Sequence, residues 1–69
     1  MNNPVVVKVE NKGNVVFVTY KSFDNLPLKG DFIFYEGSYY KVIERLFIFT
    51  QANNEIQRVI LKVNKTSSK

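Results

Sequence analysis

Short runs rich in valine, isoleucine, phenylalanine and tyrosine follow one another along the chain, and most of them alternate apolar with other residues at a period of two. That period belongs to a strand with one buried face, whereas a buried helical stripe recurs every three to four positions. Turn-forming clusters separate the runs: Asn11-Lys12-Gly13-Asn14, the stretch Leu26 to Gly30 around Pro27, Gly37-Ser38, and Gln51-Ala52-Asn53-Asn54. Five strands are predicted, near residues 4–10, 15–21, 31–36, 39–50 and 55–63. Ten valines, five isoleucines, six phenylalanines and four tyrosines against a single alanine support them, because β-branched and aromatic side chains suit a pleated surface better than a helix. Helical spacing also fits Tyr39, Val42, Ile43, Leu46 and Phe47, and then Ile56, Val59, Ile60 and Val63, so a C-terminal helix is the alternative for that end.

Hairpin turns assign side chains to faces. A Lys12-Gly13 turn sets Val9 opposite Val16, Val7 opposite Val18 and Val5 opposite Tyr20, with Lys8 beside Phe17 on the reverse side. A type II′ turn at Gly37-Ser38 sets Tyr35 opposite Tyr40, Ile33 opposite Val42, Phe34 opposite Lys41 and Phe32 opposite Ile43. In the last hairpin Leu46, Ile48, Val59, Leu61 and Val63 share the core face. Glu44 breaks the pattern, falling on the core side between Val42 and Leu46, where an unpaired carboxylate is costly. A β-bulge at that point is the simplest rescue, and the outward placement of Phe47 and Phe49 holds only without one.

The second face carries the functional signal. It collects Phe17, Phe32, Phe34, Tyr39, Ile43, Phe47, Phe49 and Ile60, interleaved with Lys8, Lys41, Arg45, Arg58 and Lys62. A solvated sheet face is polar, so an apolar one implies either closure of the barrel over it or a partner. Phe17, Phe32, Phe34, Phe47 and Phe49 are the candidate interface anchors for a second copy or another protein. Aromatic rings flanked by cations also suit single-stranded nucleic acid, with Tyr20, Tyr39 and Phe34 as stacking candidates and Lys21, Lys41, Arg45 and Arg58 for phosphates.

Charge and composition narrow the classes. The 69 residues carry ten Lys/Arg and six Asp/Glu, a net charge of +4, and make one small domain. Lys62, Lys65 and Lys69 crowd the end, and without them seven bases face six acids, so the basic balance resides largely in the last eight residues, Lys62 to Lys69, of which 64–69 are a polar basic tail that follows the domain at 1–63. With no cysteine and no histidine, disulfides, thiol nucleophiles, zinc-finger sites and histidine-based triads are excluded. Asp24 and Asp31 read as turn and strand-entry residues, and three glycines form no phosphate-cradling loop, so a non-catalytic protein without metal or cofactor is expected. The longest apolar runs are far too short to span a membrane as a helix, no leader segment is expected, and a cytoplasmic location is the default.

Pro27-Leu28-Lys29-Gly30-Asp31 leading into Phe32-Ile33, then Glu36-Gly37-Ser38 and Tyr40-Lys41-Val42, resembles the entry hairpin of small SH3-like barrels. The same arrangement is similar to short uncharacterised proteins of phages and mobile elements. The resemblance implies an all-β, five-stranded, SH3-like or partly open barrel. Tryptophan and an acidic specificity loop are missing, so binding of proline-rich ligands is not implied. Together these readings predict a protein-interaction module, self-associating through its aromatic sheet face, with single-stranded nucleic-acid binding as the alternative.

Overall fold

Five strands form in the computed structural model, which describes residues 5–49 and 56–67: β1 (Val5–Asn11), β2 (Asn14–Lys21), β3 (Phe32–Tyr35), β4 (Ser38–Phe49) and β5 (Ile56–Thr66). A single 3-10 turn, Phe23–Asn25, lies between β2 and β3. The strands make one sheet in the order β2-β1-β5-β4-β3, curled into a half-barrel, so the fold is all-β and a partly open barrel. The segment considered for a C-terminal helix is β5, which runs on through Thr66 into the stretch read as tail. The expected turn at 51–54 lies outside the described residues. No helix among the described residues is long and apolar enough to cross a membrane.

The hairpin β1–β2 and the meander β3–β4–β5 join through β1 and β5, which run parallel. Parallel neighbours need a long crossover, and here everything from β2 to β4 supplies it. This central ladder sets Val7 beside Val59, Val9 beside Leu61 and Asn11 beside Val63. With Tyr40 and Val42 from β4 and Leu26 from the β2–β3 loop, those apolar side chains make the buried core on the concave face.

Both short hairpins turn through left-handed residues. Lys12 and Gly13 have φ of 52° and 83°, and Glu36 and Gly37 have 49° and 81°. Positive φ at both central positions is the type I′ geometry, whose twist matches that of the flanking strands. The first turn is the expected one. The second sits one residue earlier than Gly37-Ser38, so Tyr35 faces Ser38, Phe34 faces Tyr39, Ile33 faces Tyr40 and Phe32 faces Lys41. Pairing therefore slides by two residues, which changes partners and keeps faces. Val42, released from Ile33, bonds instead to the loop: Gly30 N–H donates to its carbonyl at 2.8 Å, and its own N–H donates to the Asp31 carbonyl at 2.9 Å.

Bulges change faces, because one extra residue reverses the alternation beyond it. On β2, Glu10 pairs with Val15 but Val9 pairs with Phe17, leaving Val16 extra. Phe17 and Thr19 thereby turn to the concave side and Val18 and Tyr20 to the convex side, a correction to the expected pairing of Val9 with Val16. On β4, Val42 pairs with Val63 but Glu44 pairs with Lys62, leaving Ile43 extra. This is the bulge expected beside Glu44, and it turns the carboxylate out to water, 3.9 Å from Lys62 Nζ. It also turns Arg45 and Phe47 inward, opposite Leu61 and Val59, and Leu46 outward, opposite Ile60. The expected core is thus corrected: Val59, Leu61 and Val63 are buried, while Leu46 and Ile48 leave the core face.

Truncating the core is expected to be severe and removing the exposed carboxylate mild. Leu61→Ala is expected to cost about 3 kcal/mol, the range for large-to-small changes in a packed core. Glu44→Ala is expected to cost less than about 1 kcal/mol, because its ion pair is solvent-exposed. Urea denaturation followed by circular dichroism measures both.

Candidate interaction surface

The convex side of β3, β4 and β5 is built from residues whose neighbours are fixed by the ladders. Phe34 on β3 lies directly opposite Tyr39 on β4, with ring centroids 4.8 Å apart and planes tilted by 53°. One step along, Phe32 lies opposite Lys41, whose Nζ is 6.0 Å from the ring centroid. The Ile43 bulge and the outward-turned Leu46, opposite Ile60, continue the apolar surface toward the other end of β4. Phe34 is 63% exposed and Phe32 38% exposed, although burying either ring would be favourable.

Charge on this side is partly neutralised where it arises. Lys8 Nζ lies 3.5 Å from Glu10 Oε2, and Lys62 pairs with Glu44. Glu10 and Lys62 are themselves neighbours in the β1–β5 ladder. A hollow of about 300 Å³ opens there, between Glu10, Lys12, Gly13, Ile43, Lys62 and Asn64.

Three of the five expected anchors, Phe17, Phe47 and Phe49, do not belong to this surface. Phe17 faces inward from β2, packs against the core and stacks on Tyr35 of β3, with centroids 4.3 Å apart and planes within 21°. Phe47 also packs against the core, under the Arg45 guanidinium, which stands 4.9 Å from its ring. The bulges at Val16 and Ile43 are the physical reason in each case. Phe32 and Phe34 are brought together, whereas Phe49, two residues beyond Phe47, shares that residue's face of β4 and is exposed at the strand's end.

The nucleic-acid candidates are dispersed. Tyr39 and Lys41 share the convex face with Phe34, and Arg58 lies on the same side of β5 opposite Ile48. Tyr20 and Lys21 belong to β2, at the far edge of the sheet, and as consecutive strand residues they point to opposite faces. Arg45 points inward, and its Nε is buried with no hydrogen-bond partner among the described residues. Leu46 and Val18 are exposed apolar residues that the alternation assigns to the core face, and Val15, opposite Glu10, is an exposed apolar residue not counted in the second face. The signal for both valines was present: Val15, Val16, Phe17 and Val18 run together without the polar interruptions that a regular half-buried strand shows.

Asp31 has a local role. Its Oδ2 accepts the Leu28 N–H at 2.8 Å, and its own N–H donates to the Leu28 carbonyl at 2.9 Å, closing the loop that leads into β3. Compared with known proteins, the chain matches no family model, no curated protein and no solved structure. The surface itself therefore carries the functional argument.

Stability separates the two kinds of phenylalanine. Phe17→Ala is expected to cost about 3 kcal/mol through lost packing, whereas Phe34→Ala is expected to stay within about 0.5 kcal/mol of the parent. Equal losses in thermal or urea unfolding would contradict the assignment of these two rings to opposite faces.

Proposed function

We propose that this protein is a non-catalytic interaction module that self-associates through the convex aromatic face, with Phe32 and Phe34 as its anchors. The supporting observation is the continuity of Phe34, Tyr39, Phe32, Ile43 and Leu46 across neighbouring strands, all on one side. Contiguous exposed apolar surface on so small a protein is characteristic of contact sites, and aromatic side chains that enter a partner's pocket dominate contact energies. Lys41 and Arg58 supply a basic rim, and the ion-paired Lys8 and Lys62 keep the surface from being a strong anion field.

Light scattering across a concentration series tests this. The parent chain is expected to exceed monomer mass at both low and high salt, since apolar association holds or strengthens as salt rises. Phe34→Asp is expected to lower the mass with the far-UV circular dichroism unchanged. A Phe34→Asp chain with the parent's mass would remove the face from the contact.

One observation favours a second reading, the binding of single-stranded nucleic acid. The Phe34–Tyr39 ring pair with Lys41 alongside offers a stacking platform beside a cation. On this reading an oligonucleotide binds with an affinity that falls steeply between about 50 and about 200 mM salt, and Lys41→Ala weakens it for every sequence alike. Fluorescence anisotropy with a labelled oligonucleotide measures both, and salt-independent or absent binding would eliminate the reading.

A further inference from the structure

The two ends of the sheet are unequal. β3 is four residues long, with Asp31 before it and Glu36 after it. Short strands and flanking charges are devices that protect an edge from pairing with other chains. β2 is eight residues long, contains neither proline nor glycine, and carries one charged residue, Lys21, at its very end. Among the described strands it pairs only with β1, so its second edge presents unpaired N–H and carbonyl groups.

We propose that a second copy of this chain occupies that edge, β2 pairing antiparallel with β2 about a two-fold axis at Val18. The contact goes beyond the aromatic-face contact proposed above and uses a different surface. The bulge carries the argument. Because Val16 is the extra residue, Val15, Val18 and Tyr20 all lie on the convex side, and they are 51%, 54% and 68% exposed. In antiparallel pairing, residues directly opposite must share a face.

A two-fold axis at Val18 meets that condition along the strand. Val18 lies opposite Val18 of the second copy, and Phe17 opposite its Thr19, both of these concave. With Val16 again taken up as the extra residue, Tyr20 lies opposite Val15 of the second copy and Lys21 opposite its Asn14. Tyrosine against valine is a favourable cross-strand pair, and no like charges are opposed. The contact is isologous and closes on itself, so it gives a dimer rather than a fibre. The joined sheet has ten strands, two sets of the five described here, and leaves both aromatic faces near β3 free for the other contact.

The natural absence of cysteine makes the test direct. Residues opposite each other in an antiparallel pair have Cα atoms about 4.5–5.5 Å apart, within the disulfide range. Val18→Cys is expected to form a disulfide-linked dimer under mild oxidation at least about tenfold faster than Asn25→Cys, an exposed loop position that reports collisional linkage. An equimolar mixture of Val15→Cys and Tyr20→Cys is expected to give mainly the mixed dimer, which fixes the register. Phe34→Asp, combined with Val18→Cys, is expected to cross-link as well as Val18→Cys alone. Val18→Cys that links no faster than Asn25→Cys overturns the edge contact, whether the edge is then vacant or taken by a foreign strand. If the parent still self-associates in that case, the aromatic-face reading survives. Rapid linkage at Val18 with no mass change in Phe34→Asp has the reverse meaning.

Discussion

Phe17 and Tyr35 hold the half-barrel together. Their strands, β2 and β3, stand at opposite ends of the sheet and share no backbone ladder, yet the two rings stack at 4.3 Å across the concave side. An aromatic pair adds about 0.5–1.5 kcal/mol beyond the area it buries. That is a substantial share of the few kcal/mol available to a domain of this size. Both rings also pack against the buried core, in which Val7 and Val9 of β1 and Val59 and Val63 of β5 are almost fully buried. A cavity of about 140 Å³ lined by Val7, Val9, Phe17, Pro27, Ile33 and Leu61 shows that closure is incomplete.

How much of this was legible in the sequence depends on whether a polar residue marked the irregularity. The strands and the Lys12-Gly13 turn are read correctly because glycine and asparagine punctuate the apolar runs. The bulge on β4 is legible because Glu44 would otherwise be buried, and a carboxylate makes such an error conspicuous. The bulge on β2 left no such mark. In Val15-Val16-Phe17-Val18 every residue is apolar, so either face assignment satisfies the hydrophobic pattern and a slip of one goes unnoticed. Phe17 lies on the face opposite to the one the alternation assigns for that reason, and Phe47 and Phe49 do so because the β4 bulge reverses every position beyond it to the end of the strand. The parallel β1–β5 ladder is a pairing of distant segments, which local pattern does not encode.

The surface follows from the same two insertions. The Ile43 bulge moves an arginine inward, where its guanidinium lies over Phe47, and exposes Leu46 in exchange. A cation is thereby withdrawn from the convex face and an apolar residue added to it. With Lys8 and Lys62 each beside a glutamate, that face is more apolar and less cationic than the net charge of +4 suggests. Such a surface suits another protein surface better than a phosphate backbone, whose affinity depends on cations free to displace counterions.

Val16 has a double effect of the same kind. By adding one residue to β2 it sends Phe17 to the concave side, where the stack with Tyr35 closes the core, and it aligns Val15, Val18 and Tyr20 on the outside. Closure and the exposed edge are consequences of one local shift in register. Without the extra residue, the ring that closes the barrel would face water while Val18 and Tyr20 turned inward. The folded monomer and the self-complementary edge of β2 therefore cannot be changed independently, because a half-barrel that closes through side chains on one face of β2 leaves the other face and the free backbone edge for a partner.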